Sequence, residues 1–489
     1  MDEQVAGGIT IVGLGPGGSS LLTQEAWQLL HDVDEVYLRT SRHPAATDLP
    51  EHLRVESFDS VYDSATEFAA VYEEITGKVL RLGRRPEGVV YAVPGHPHIA
   101  EATVTSISEA ARAAGIPLRI VPGLSFVEPA LTALGIDGLN GLQLFDAITV
   151  AAYTHPPLSP DAPVLLGQVY NRLLAGELKL ALMAIYPDEH PIVLVHAAGT
   201  PEERLERLAL FELDRSAAID HLTSLFIPPL PLPSSLDALA EAVAVLRGPG
   251  GCPWDQEQTP QSLRAGFLEE TAELLAALDS EDVDNLREEL GDVLLHIVMQ
   301  TQMAREEELF RLSEVIGDIH AKIKRRHPHV WGDWEVAHSE EVVANWEAIK
   351  VQEKKVESGR PPSILDNIPA ALPALARSQK VQERVRKVGF DWPALDGVVA
   401  KLDEEIAELR GARSARAQRA EMGDLLFAAV NWARWLGIDA EAALREANLR
   451  FDRRFRRLEA LADVRGISLE DATIEALEVL WQEVKEGEI

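Results

Sequence analysis

The stretch Leu268-Glu-Glu-Thr-Ala-Glu-Leu274, followed by Glu289-Leu-Gly-Asp-Val-Leu294, recurs later in the chain as Asp403-Glu-Glu-Ile-Ala-Glu-Leu409 and Glu421-Met-Gly-Asp-Leu-Leu426. Each copy carries Glu-x-x-Glu, a short gap, then Glu-x-x-Asp. Residues three apart share one helix face, so each pair directs two carboxylates the same way. A short connection makes the two helices antiparallel neighbours. Glu270, Glu273, Glu289 and Asp292 then converge in the first copy, and Glu405, Glu408, Glu421 and Asp424 in the second. Two flanking matches keep the same order. Gly251-Cys-Pro-Trp-Asp255 answers Gly389-Phe-Asp-Trp-Pro393, and Lys322-Ile-Lys-Arg-Arg326 answers Arg450-Phe-Asp-Arg-Arg454. Four matches in one order indicate a duplicated helical module.

Four carboxylates cannot gather without compensation. Two like charges ~5 Å apart at an effective dielectric of about 20 repel by roughly 3 kcal/mol. Either cations enter or some of the acids take up protons. All-oxygen ligands select a hard cation, Mg²⁺ or Mn²⁺. A lone Glu-x-x-Glu is ordinarily a solvated helix face. Here the second pair of each copy adjoins an apolar run (Val293, Leu294, Ile297, Val298; then Leu425, Leu426, Val430), and the whole constellation occurs twice. Gly291 and Gly423 sit at the same offset inside helical patterns, at ~1 kcal/mol against alanine. That repetition predicts a close helix approach beside a metal. About 30 residues beyond each Glu-x-x-Asp lie basic clusters, Lys322, Lys324, Arg325 and Arg326, then Arg450, Arg453, Arg454, Arg456 and Arg457. They read either as faces pairing with nearby Glu or as grips for phosphate oxygens. Carboxylates for a divalent ion opposite Arg or Lys for phosphate is the equipment of phosphoryl chemistry.

Outside these modules the chain has a different texture. Residues 9–12 (ITIV), 35–38 (EVYL), 89–92 (VVYA), 118–121 (LRIV) and 191–196 (PIVLVH) read as strands, with helical patterns at 21–30 and 99–114 between them. This first third reads as α/β. The prolines of IPPLPLP at 227–233 mark a stiff linker, and ESGRPP at 357–362 marks a second break. With 489 residues the chain exceeds one hydrophobic core, and three domains are expected, at 1–228, 234–356 and 363–489. Lys and Arg number 46 against 79 Asp and Glu, a formal charge of -33, which repels DNA and anionic membranes. The lone Cys252 excludes an internal disulfide, no apolar run reaches membrane-spanning length, and the start MDEQVAGGIT lacks a signal-like pattern. A cytoplasmic protein with neither nucleic-acid nor membrane partners is expected.

From about Leu236 onward the chain resembles the MazG family of nucleoside triphosphate pyrophosphohydrolases, an all-α superfamily. The resemblance rests on GCPWDQEQT, LEETAELLAAL, EELGDVLLHIV, RRHPHVWGD, KVGFDWP, EMGDLLFAAVNWAR and ANLRFDRRF. It implies two helical bundle modules, hydrolysis of nucleoside triphosphates between the α- and β-phosphates, and Mg²⁺ held by the quartet. Carried over by motif, Glu405, Glu408, Glu421 and Asp424 hold metal, Arg450 and Arg454 contact phosphate, and Trp481 in LWQEVK stacks near the nucleotide. The family more often has lysine where Arg450 stands. Glu270, Glu273, Glu289, Asp292, Lys322 and Arg326 form the equivalent first set. The family resemblance favours the second copy as the active one, and a homodimer is expected from modules that bury apolar faces by pairing, the alternative being that the two copies pair within one chain.

The first segment resembles the tetrapyrrole methylases, which use S-adenosylmethionine. The strings are Val12-Gly-Leu-Gly-Pro-Gly17, Tyr91-Ala-Val-Pro-Gly-His-Pro97 and Val121-Pro-Gly-Leu-Ser125. A glycine-rich turn after a strand lets backbone approach a ligand closely. The resemblance implies a cofactor site at Gly13, Gly15, Pro16, Gly17, Pro94, Gly95, His96, Pro122 and Ser125. One departure stands out, since the family commonly has Gly-Asp-Pro where this chain has Gly95-His96-Pro97. The competing functions are therefore an NTP pyrophosphohydrolase, a methyltransferase with regulatory helical modules, and a non-catalytic nucleotide sensor. Among smaller signals, His-Pro-His at 96–98 and 327–329 reads as turns, Cys252 as packed, and Trp331, Trp334 and Trp346 as core or interface anchors. Trp392 lies in a loop and reads first as a structural residue, with closure over a base as the alternative.

Overall fold

The computed structural model describes residues 7–64, 68–358, 363–366 and 368–487. They fall into two compact units, Met1–Glu257 and Gln258–Ile489. The first unit holds two five-stranded sheets. In the first sheet β1 (Ile9–Gly13), β2 (Glu35–Leu38), β3 (Arg54–Ser57), β4 (Val89–Val93) and β5 (Leu118–Val121) lie in the order β3-β2-β4-β1-β5, every pairing parallel. A parallel sheet is covered on both faces, and that dictates its apolar strands. Ile9, Ile11, Tyr91 and Val93 pack on one side with Val71, Ile75 and Val79 of helix Phe68–Leu82 and Val104, Ile107 and Ala111 of helix Ala102–Ala113. Val12, Ala92, Val36 and Leu38 pack on the other with Ala26 and Leu30 of helix Gln24–Asp32.

The second sheet orders β6 (Gln143–Asp146), β7 (Val164–Gly167), β8 (Pro191–His196), β9 (Arg204–Ala209) and β10 (Thr223–Ile227) as β6-β7-β10-β8-β9. Only β6 and β7 run parallel. The five strands expected from sequence are present. The other five were not anticipated, for identifiable reasons. β3 is an exposed edge strand reading RVES, with no apolar pattern, while β7 and β10 are short apolar runs hemmed by prolines. Beyond the proline cluster, residues 234–257 stay with the first unit. The Ser234 and Ser235 amides both donate to the Asp161 carboxylate, at 2.6 and 3.1 Å, and Ser235 then caps helix Leu236–Arg247.

The second unit is helical. A tight turn at Glu281-Asp282 joins helices Arg264–Ser280 and Val283–Glu306, with Glu281 left-handed (φ 57°) and the Asp282 carboxylate capping the second helix. Ser414 likewise caps Ala415–Trp435 after helix Leu395–Gly411. These two hairpins carry the acids. The predicted break falls partly on residues 359–362, which lie outside the described residues; helix Ser339–Ser358 ends at its edge. The close helix approach expected at Gly291 and Gly423 is not found, because a Cβ at either would meet nothing within 4 Å in this chain.

Glycine is required instead where three loops of the first unit meet. At Gly13 a Cβ would lie 2.6 Å from the Gly95 carbonyl oxygen and 2.7 Å from the Gly123 amide nitrogen, both backbone atoms. Gly15 adopts φ +70° and its carbonyl accepts from the Gly95 amide at 2.8 Å. Gly13→Ala is therefore expected to destabilise the first unit by about 1–3 kcal/mol, as overpacking does. Urea unfolding of wild type and variant measures it.

Candidate functional site

Each hairpin brings together three of its four acids. Ligand oxygens of Glu270, Glu273 and Glu289 lie within 4.8 Å of one another, and so do those of Glu405, Glu408 and Glu421. Asp292 and Asp424 stand just outside these triads. Asp292 is close enough to raise the affinity of Glu270 and Glu289 for protons, and Asp424 lines a cavity with Glu405. Glu289 and Glu405 are buried, and the Oε2 atom of each has no hydrogen-bond partner. Burial pushes the pKa of Glu270 and Glu289 up, and the neighbouring acids add to it. Clustered carboxyl oxygens with orphaned buried atoms fit a hard divalent cation.

The second hairpin has an added cation and a cavity. Lys401, one turn before Glu405, bridges Glu405 at 2.8 Å and Glu404 at 3.0 Å. Its hydrogen bonds to Glu405 and Glu404 raise its pKa. Sequence reading missed Lys401, although its four-residue offset was the available signal. The cavity, of about 600 Å³, is lined by Glu405, Asp424 and Lys401 together with apolar groups and the loop Gly389, Phe390, Asp391 and Trp392. That loop is pinned by Asp391, which accepts from Arg434 at 2.6 Å, the Trp435 indole at 3.2 Å and the Trp392 amide at 2.9 Å. Burial alone would raise the Asp391 pKa, and these donors more than reverse it. Trp392 lies against Gly397 at the start of the acid-bearing helix. The Gln382 amide donates to the Phe427 carbonyl at 2.8 Å, leaving a buried Oε1 without a partner at the cavity wall.

The remaining predicted groups are dispersed. Arg450 and Arg454 lie on helix Ala440–Arg465, and Trp481 on helix Ile474–Glu486 packs 5.1 Å from Phe451 and against the Leu458, Ala462, Leu480 and Val484 cluster. None of the three lines the cavity. In the first module Arg325 and Arg326 both clamp Glu353, at 2.6 and 2.7 Å, holding its pKa near about 2. Arg326 also stands over the Trp346 ring. Lys322 is exposed. Trp331 and Trp334 are more than half exposed, so they are not core anchors of this chain, whereas Trp346 is engaged by Arg326 and Lys350. His96–His98 lies in a turn, the His98 amide donating to His96 Nδ1 at 3.1 Å, whereas His327 caps a one-turn helix, Pro328–Trp331, that takes in the rest of the second string, and its Nδ1 bonds the Ile323 carbonyl at 2.7 Å. Cys252 is half-buried.

A second cavity, about 470 Å³, opens in the first unit at the carboxyl ends of the parallel strands, where open α/β sheets place ligands. Of the predicted cofactor residues, Pro16, Pro94, Gly95, His96 and Ser125 line it. Gly13, Gly15, Gly17 and Pro122 stand behind, serving the close packing of the loops. The Ser125 hydroxyl is committed to Glu128 at 2.6 Å. Sequence reading missed Arg39, His43 and Glu101 on this wall. Arg39 donates to Glu101 and, through Nε, to the Tyr62 hydroxyl at 3.0 Å. Burial pushes Glu101 up to about 7, although Arg39 and Thr103 pull the other way.

Burial, aided by His221 and Arg39, lowers the His43 pKa from 6.5 to about 4, against a hydrogen bond with the Gly15 backbone. Unfolded His43 takes a proton near 6.5 and the folded residue only near 4. Its stability contribution is present above 6.5 and lost as pH falls toward 4. Between about pH 7.5 and about pH 4.5 wild type should lose on the order of 2 kcal/mol more than His43→Asn, whose side-chain oxygen can accept from the Ala45 amide as His43 Nδ1 does at 3.2 Å. Paired urea titrations measure the difference.

Comparison with known proteins places two families on this chain. The model of the tetrapyrrole (corrin/porphyrin) methylases matches residues 8–214, and the MazG nucleotide pyrophosphohydrolase domain matches residues 258–331. The Bacillus subtilis protein YabN is 41% identical over 493 residues, spanning 99% of both chains. The nucleoside triphosphate pyrophosphohydrolase of Escherichia coli is 47% identical over 262 residues, 52% of this chain and 99% of its own. A nucleoside triphosphate pyrophosphohydrolase/pyrophosphatase MazG of Thermotoga maritima is 42% identical over 253 residues, covering 52% and 96%.

Proposed function

Because this chain belongs to the MazG family of nucleoside triphosphate pyrophosphohydrolases, joined here to a tetrapyrrole methylase domain, we propose that it cleaves nucleoside triphosphates between the α- and β-phosphates, releasing NMP and pyrophosphate. The observation that carries the reading is the second hairpin's triad of carboxylates, of which Glu405, with a buried unpartnered oxygen, lines with Asp424 a cavity large enough for a nucleoside. Glu405, Glu408, Glu421 and Asp424 would hold Mg²⁺ or Mn²⁺, with the first-copy quartet Glu270, Glu273, Glu289 and Asp292 as the duplicate set. A bound divalent ion supplies charge to a polyphosphate and lowers the pKa of a water.

The chain's own groups do the positioning. Lys401 holds Glu405 in place by their direct bond. The apolar cavity beside it takes the base, with Trp392 as its aromatic wall. Arg450 and Arg454, with Trp481 near them, would meet phosphate and nucleotide only if their helices approach the acids in a larger assembly. That requirement supports a homodimer. So do the exposed apolar side chains Leu290, Leu294 and Ile297 on the first hairpin and Met422, Leu426 and Phe427 on the second. Sedimentation equilibrium at micromolar concentration should give two chains of 53.6 kDa per particle; a monomer would remove this role for Arg450, Arg454 and Trp481.

The decisive measurement is pyrophosphate release from a panel of nucleoside triphosphates, with and without Mg²⁺. Glu421→Ala or Asp424→Ala should lower kcat by at least about a hundredfold, in line with loss of a preorganised charge group. Retained activity would transfer the reaction to the first module, and binding without hydrolysis would favour a sensor. For the first unit we propose S-adenosylmethionine as the ligand of the cavity behind Pro94, Gly95 and His96, supported by the convergence of its three glycine-bearing loops there.

A further inference from the structure

The first unit's cavity contains more than its loops explain. Glu101 is buried to 7% exposure on the cavity wall, and its Oε2 has no hydrogen-bond partner. A buried acceptor without a donor is costly unless something supplies one. Beside it, Arg39 gives Nη1 to the other Glu101 oxygen and Nε to Tyr62. A guanidinium has five donors, so the pair presents acid and base together on one wall.

The backbone around this pair is also unusual. Outside glycine, left-handed φ occurs at Ala100 (59°), Gln168 (65°), Ala197 (47°), Glu281 and Glu308 among the described residues. The first three all line this cavity. Such conformations persist where surrounding structure enforces them, and they concentrate at ligand sites. Gln168 fastens two of them by donating from Nε2 to the Ala100 carbonyl at 3.1 Å. The residue immediately after Ala100 is Glu101, so the strain fixes the direction of that carboxylate.

We infer that Glu101 and Arg39 seat the zwitterionic amino-acid end of an S-adenosylmethionine-class ligand, its ammonium donating to Glu101 Oε2 and its carboxylate facing the Arg39 side. The inference rests on the reading of this cavity as an S-adenosylmethionine site and adds which chain groups read which end of the ligand. A zwitterion matches an adjacent acid and base. An uncharged amine or a lone anion would satisfy only one of them. His96, where the sequence departs from its resemblance, lines the same cavity without carrying a carboxylate, so Glu101 is the acid that the wall offers.

Isothermal titration of the full-length protein tests this with two probes. S-adenosylhomocysteine has the amino-acid end, and 5′-methylthioadenosine lacks it while keeping adenine and ribose. Glu101→Gln should weaken S-adenosylhomocysteine roughly tenfold or more, the loss of one charge-assisted bond. It should leave methylthioadenosine within about twofold, with an unchanged melting curve. Arg39→Lys, which keeps the charge and loses the fork, should weaken S-adenosylhomocysteine selectively as well. Equal affinity of wild type and Glu101→Gln for S-adenosylhomocysteine overturns the inference while leaving the cofactor reading standing. Parallel loss of both probes, or an unfolded variant, makes Glu101 a structural residue and also overturns it. Failure of wild type to bind either probe removes the cofactor reading itself.

Discussion

Mutual repulsion among clustered carboxylates is the constraint on which the helical unit turns. Three acids with oxygens within 4.8 Å of each other, two of the six such groups buried, oppose folding unless charge is removed or matched. The two hairpins meet this differently. In the first, burial and crowding raise the proton affinity of Glu270 and Glu289. In the second, Lys401 lies within bonding distance of Glu405 and supplies a positive charge from the same helix. Duplication has thus preserved the acids while their electrostatic surroundings diverged. The cavity adjoins the copy with the lysine.

The divergence extends to the basic residues. Arg325 and Arg326 of the first module are spent on Glu353, a contact that ties the Leu312–Arg326 helix to Ser339–Ser358. Clusters that look alike in sequence therefore stand in different relations to their acids. Whether a basic run grips phosphate or pins a helix depends on where an opposing glutamate folds, which local pattern does not encode.

In the α/β unit the governing fact is close approach. Gly13, Gly95 and Gly123 let three loops touch through backbone atoms, and the strands deliver those loops to one end of the sheet. The glycines behind the cavity make its walls possible, while side chains from other segments form its lining. Arg39 follows β2 and Glu101 follows the β4 loop, 62 residues apart, yet they share a salt bridge. Neither belongs to a motif, and nothing local marks either one.

Periodicity and spacing determined a good deal. The Glu-x-x-Glu and Glu-x-x-Asp pairs, with turn residues between them, placed six of eight acids into two triads, because helix geometry alone sets which side chains share a face. Apolar runs flanked by turn residues located β1, β2, β4, β5 and β8, whose burial leaves a mark in composition. Strands without that mark, such as the exposed β3, were silent. Tertiary structure alone decided that Gly291 and Gly423 face open space, the pairing of Arg326 with Glu353, the pinning of the Trp392 loop by Asp391 and Arg434, and the meeting of Arg39 with Glu101. Those contacts join segments remote in sequence. Their energies come from burial and mutual orientation, quantities that exist only once the chain has folded.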